Sequence, residues 1–64
     1  MPMIRVEMFA GRTREQKRDL ARELTDAYVR VLGGDPEGIQ VVIRDVDKED
    51  WARGGRLFAD RLPD

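Results

Sequence analysis

Neither histidine nor cysteine occurs among the 64 residues. Their absence removes the imidazole base, the thiolate nucleophile, and every Ser-His or Cys-His pair. Disulfide staples and the usual zinc sites are excluded with them. An excess of one charge is missing too. Twelve Lys and Arg stand against thirteen Asp and Glu, a net of −1, so no field draws the chain to nucleic acid or to an anionic membrane surface. No apolar run approaches the ~20 residues that span a bilayer, and the amino terminus lacks a signal-peptide apolar stretch. These absences lead us to expect a soluble, cytoplasmic protein. There is no phosphate-binding loop, and Gly33-Gly34 and Gly54-Gly55 read as punctuation between elements.

The length allows a single domain over 1–64 and no second one. A chain this short buries only about 60% of its unfolded surface, and that burial roughly offsets the entropy of ordering it. With disulfides and metal excluded, oligomerisation is the remaining route to stability. The charged fraction, 39%, is high enough to suggest disorder, but the apolar residues are periodic, which argues against it.

Residues 3–9, MIRVEMF, alternate as a strand, with Ile4, Val6 and Met8 on one face and Arg5 and Glu7 on the other. Gly11 breaks the run. Thr13 and Gln16 have the spacing of a capping box, and Glu15 suits the first turn of a helix. Leu20, Leu24, Ala27, Tyr28 and Val31 then recur at helical spacing, with Ala21 and Leu32 widening the stripe. Arg14, Lys17, Arg18 and Arg22 read as its solvated face, and Asp26 can pair with Arg30 at i, i+4. Gly33-Gly34 stops the helix and Pro36 keeps it from resuming. Residues 39–46, IQVVIRDV, form a second strand, with Ile39, Val41 and Ile43 opposed to Gln40, Val42 and Arg44.

Strand, long helix, strand is a β-α-β unit, so the fold class is α+β with two parallel strands and a right-handed crossover. The remainder forms a short C-terminal hairpin with Trp51, the Gly54-Gly55 hinge and the apolar pair Leu57-Phe58. A two-stranded sheet leaves both edges open, and strands from other copies would complete it. Leu57 and Phe58 are either part of such an edge or fold back onto their own helix.

Few residues remain to do chemistry. The carboxylates of DVDKED (45–50) sit on a turn beside Lys48 and read as a solvated turn. Pro2 is different. Removal of Met1 would leave it as a secondary amine, a group no side chain supplies. An α-amino group titrates near about 7.7 to 8.0 in the open, and apolar walls or a nearby cation lower that by disfavouring the charged form. A neutral amine near pH 7 is a competent general base. The other reading of Pro2 is a strand-leading proline with nothing to donate.

Pro2, Gly11-Arg12 closing the first strand, EQK (15–17) opening the helix, VVI (41–43), and Trp51 three residues before Gly54-Gly55 resemble, in this order, the 4-oxalocrotonate tautomerase family. The resemblance covers about residues 2–61. It implies a β-α-β subunit that pairs into a four-stranded dimer and assembles as a homohexamer, a trimer of dimers. It also implies a cofactor-independent isomerase that interconverts 2-hydroxy-2-enoates and 2-keto acids. Pro2 takes the place of the catalytic amino-terminal proline, and Arg12 that of the arginine that reaches in from a neighbouring subunit to bind the substrate carboxylate. Trp51 takes the place of an aromatic, usually Phe, that keeps the site dry. Gln40 stands where the best-studied members carry a second arginine, so a neutral donor replaces a charged one. Hydratase and dehalogenase members of the superfamily use a carboxylate just after the aromatic wall, where this chain has Ala52 and Arg53. A lyase of that kind is one alternative, and a non-catalytic oligomeric paralogue is the other.

Overall fold

The computed structural model describes residues 1–61. Strand β1 (Met3–Phe9) and strand β2 (Gln40–Val46) lie parallel, in register from Met3 opposite Gln40 to Phe9 opposite Val46. Helix α1 (Arg14–Leu32) connects them and covers one face. The alternation expected of a half-covered sheet is present in both strands. Ile4, Val6, Met8, Val41 and Ile43 are half-buried, while Met3, Arg5, Glu7, Gln40, Val42 and Arg44 are exposed on the other face. Val42 is 46% exposed and Met3 47%, so apolar side chains stand in the open there.

The helix begins as its sequence dictates. Gln16 N donates to Thr13 Oγ1 and Thr13 N donates to Gln16 Oε1, both at 3.0 Å, which closes the capping box. It ends where Gly33, at φ 80°, turns out of the helix and donates its N–H to the Val29 carbonyl at 2.8 Å. The apolar stripe is shorter than the sequence pattern predicts. Leu20, Leu24, Ala27 and Tyr28 are half-buried, but Val31 and Leu32 are 74% and 69% exposed. Nineteen helical residues span about 28 Å and a seven-residue strand about 20 Å, so the last turn overhangs the sheet.

Two electrostatic expectations also shift. Lys17 does not sit on a purely solvated face: its Nζ pairs with Asp45 Oδ2 near the end of β2, pinning the helix start to the strand. Among the described residues no ion pair joins Asp26 to Arg30, and Arg22 pairs with Asp19 at 3.1 Å instead. The second strand starts one residue late. Ile39 N–H closes a single 3-10 turn (Pro36–Gly38) on the Pro36 carbonyl at 3.1 Å and is unavailable to the ladder.

After β2 a second 3-10 turn (Lys48–Asp50) leads into a hairpin of strand β3 (Ala52–Arg53) and strand β4 (Arg56–Leu57), followed by a one-turn helix α2 (Phe58–Arg61). Gly54 and Gly55, at φ 60° and 78°, supply the two left-handed residues of a two-residue hairpin. Leu57 pairs within this hairpin, and Phe58 packs on Phe9 and Trp51 rather than on the helix.

No side chain among the described residues is fully buried. The chain is a slab of 43 × 25 × 15 Å with a radius of gyration of 14.9 Å, where a compact 64-residue domain has about 11 Å. One sheet and one helix offer only one internal layer, and that layer reaches solvent at its margins.

Candidate active site

Pro2 stands at the head of β1, half-buried, and its carbonyl accepts from Gln40 N at 3.0 Å. That bond extends the parallel ladder one step beyond the strand and fixes the start of the chain beside the start of β2. Met1 precedes it and is 90% exposed. Gln40 is exposed, and strand alternation places its side chain on the uncovered face. Pro2 and Gln40 therefore share one end of the sheet.

Arg12 and Trp51 lie at the other end, about 20 Å away along a seven-residue strand. Ala10 N donates to the Val46 carbonyl at 3.0 Å and closes the ladder there. Gly11, at φ 122°, then turns the chain, and exposed Arg12 follows before the helix cap. Arg12 borders a cavity of ≈ 240 Å³ with Met8, Gln16, Lys17 and Leu20, so its guanidinium has an apolar groove beside it. Among the described residues no carboxylate pairs with Arg12.

Trp51 is half-buried in a cluster of three rings. Its centroid is 4.8 Å from Phe9 and 6.1 Å from Phe58, and Phe9 and Phe58 are 5.3 Å apart, with tilted or edge-on geometry throughout. Such pairs add about 0.5–1.5 kcal/mol each beyond area burial. Phe9 falls on the uncovered face of the sheet by strand alternation, so the hairpin folds over that face at this end only. Trp51 O accepts from Phe58 N at 2.8 Å, which holds the two rings in fixed relation.

Within one chain, then, the four sequence candidates fall into two pairs, Pro2 with Gln40 and Arg12 with Trp51, and are not brought together. The carboxylates Asp47, Glu49 and Asp50 are all exposed on their turn, in keeping with a solvated turn. Sequence reasoning missed the partners of Trp51. Phe9 carried a signal, since Met8 and Phe9 are consecutive apolar residues where strict alternation asks for a polar one. Phe58 carried none, because its position depends on how the hairpin folds.

A family model described as a tautomerase enzyme matches residues 2–61. A probable tautomerase of Ralstonia nicotianae is 40% identical over 60 residues, covering 94% of this chain and 92% of that protein. The crystal structure of TomN, a 4-oxalocrotonate tautomerase homologue in the tomaymycin biosynthetic pathway, superposes with a TM-score of 0.91 at 33% identity, covering 98% of this chain and 97% of TomN. A heterohexamer 4-oxalocrotonate tautomerase from Chloroflexus aurantiacus superposes with a TM-score of 0.85 at 32% identity, covering 94% and 97%.

Proposed function

The chain belongs to the tautomerase family, and we propose that it is a cofactor-independent keto–enol tautomerase of 2-hydroxy-2-enoates, working in the cytoplasm, with Pro2 as its general base. While Met1 is attached, the Pro2 nitrogen is an amide without basicity. The proposal therefore includes removal of Met1, whose side chain is 90% exposed. The freed secondary amine, unprotonated, takes the proton of the 2-hydroxyl group. The electron pair moves into the 2-keto oxygen and the conjugated carbons, and the ammonium returns a proton to carbon. Proton count and charge balance over the cycle, so no co-reactant is needed.

Arg12 binds the substrate carboxylate and stabilises the charge that builds at the neighbouring oxygen. It does so at the Pro2 of another copy, because its own Pro2 lies at the far end of the strand. Gln40 donates a neutral hydrogen bond to the oxygen that becomes the ketone. Trp51 excludes water, which favours the neutral amine by desolvation. The assembly that supplies these neighbours is, in this proposal, a homohexamer built as a trimer of dimers. The absence of any fully buried side chain among the described residues and the open apolar positions Met3 and Val42 support self-association.

The observation that carries the reading is the position of Pro2: it opens the span matched by the family and stands half-buried at the head of β1, its carbonyl held by Gln40 N. Three measurements test it. Intact mass of protein made in its own host should be lower by one methionine. Pro2→Ala should lower kcat for phenylenolpyruvate ketonisation by about 10²- to 10⁴-fold, the usual worth of a positioned general base. Wild-type kcat/KM should fall as the pH drops through the amine pKa, because protonation removes the base. Wild-type turnover by Pro2→Ala would end the proposal.

A further inference from the structure

Strand β1 has one edge without a partner. Pro2 O accepts from Gln40 N and Ala10 N donates to Val46 O, so the even-numbered residues of β1 turn their backbone groups toward β2. Met3, Arg5, Glu7 and Phe9 point theirs out of the free edge, where no strand lies among the described residues. An edge of seven residues, with no proline and in unbroken register, is a template for another strand.

The side chains restrict which strand fits. MIRVEMF reads apolar, apolar, positive, Val6, negative, apolar, apolar, the same from either end except for the sign of the charges. Opposed residues in an antiparallel pair share a face, so a twofold axis normal to the sheet sets some residue against its own counterpart. An axis at Arg5 or Glu7 would oppose like charges, which destabilises the pair, and one at Ile4 or Met8 would set charges against apolar residues. At Val6 it opposes Arg5 to Glu7, Met3 to Phe9 and Ile4 to Met8, each twice. Strand β2 has no such centre, because Arg44 and Asp45 are adjacent, lie on opposite faces and cannot be opposed. Neither charge of β1 is used at home. Arg5 and Glu7 are exposed, and among the described residues no ion pair reaches either.

We propose that β1 pairs antiparallel with β1 of a second copy about a twofold axis at Val6, and that the reciprocal Arg5–Glu7 pairs make the chain select its own kind. Arg44 stands beside Glu7 in the ladder, so the row across the uncovered face runs Arg44, Glu7, then Arg5 of the partner subunit. A strand with neutral residues at the two charged positions gains no such row, and one with two like charges there is repelled by half of it. The same register opposes Pro2 to Ala10 of the partner subunit, two residues before Arg12 of the partner subunit. Two ends that one chain holds about 20 Å apart thus meet across the axis. This rests on the self-association in the proposed function and gives it an edge and a register.

The test exchanges the charges. Arg5→Glu and Glu7→Arg, each alone, should weaken self-association by about 10²-fold in sedimentation equilibrium, since each twofold contact loses two attractions and gains two like-charge oppositions. Mixed in equal amounts, the two variants should regain the wild-type assembly size as 1:1 complexes by native mass spectrometry. The double exchange, Arg5→Glu with Glu7→Arg in one chain, should self-associate as the wild type does and stay sorted from it after joint refolding. The register is read separately, in a chain that has no cysteine of its own. Val6→Cys should close a disulfide-linked dimer on oxidation, because a non-hydrogen-bonded pair brings its Cα atoms to about 4.5 Å. Met8→Cys, four residues off its counterpart, should not.

Single charge variants that self-associate as the wild type does overturn the proposal. So does a mixture of the two that fails to assemble, a double exchange that mixes freely with wild type, or a Val6→Cys protein that forms no disulfide. Failure of the underlying reading looks different: a wild-type chain that sediments as a monomer removes self-association itself, whereas assembly indifferent to these charges removes this inference alone.

Discussion

The two ends of the sheet differ in how much of their own structure they complete. At the Phe9 end, three rings pack together, the ladder closes through Ala10 and Val46, the capping box starts the helix, and Lys17 holds Asp45. At the Pro2 end there are the backbone hydrogen bond to Gln40 and those of the short turn before it, with Met1, Met3 and Val42 exposed around them. One end is consolidated within the chain and carries Arg12 and Trp51. The other is left open and carries the proposed base. A site needing both ends can form only between copies, so in this reading assembly and activity are the same requirement.

This asymmetry can be broken at the consolidated end or sharpened at the open one. After Pro2→Ala, the largest effect is expected from Arg12→Ala, which removes the guanidinium that another copy's Pro2 depends on. We expect kcat/KM for phenylenolpyruvate to fall by roughly 10²- to 10³-fold, as for loss of a preorganised donor at a developing oxyanion. An effect below tenfold would separate Arg12 from the chemistry. A gain is expected from Gln40→Arg, which adds charge at the open end. Turnover should rise by about tenfold, less than the full worth of a buried charged donor because position 40 is exposed. No gain, or a loss, would show that the ketone oxygen does not approach Gln40.

The smallest effect belongs to the helix cap. Thr13→Ala opens the capping box at the consolidated end and should cost about 1 kcal/mol, read from denaturant unfolding at fixed protein concentration. Activity per folded assembly should be unchanged. A loss of activity larger than the loss of folded protein would mean that the cap positions Arg12 as well as starting the helix.

Much of this was legible from local rules. Alternation in residues 3–9, the Thr13–Gln16 spacing and the Gly33-Gly34 stop each act within a few residues, and each is found where the sequence places it. What escaped was decided by tertiary fit. Val31 and Leu32 obey helical periodicity yet project past a sheet shorter than the helix. Lys17 looks solvated on a helical wheel and is claimed by Asp45, 28 residues on. Phe58 joins Phe9 only because a glycine turn reverses the chain between Arg53 and Arg56. The candidate site was legible as a set of residues and illegible as a place, since strand length separates Pro2 from Arg12 in any one chain.

Subunit mixing tests the central claim most directly. Pro2→Ala and Arg12→Ala proteins, each with its own site disabled, are unfolded together, refolded at equal concentration and assayed with phenylenolpyruvate. If each site takes Pro2 from one copy and Arg12 from another, random mixing in a symmetric oligomer restores about a quarter of the wild-type sites. Activity no greater than the sum of the two variants alone, in an assembly shown to contain both, would contradict the account.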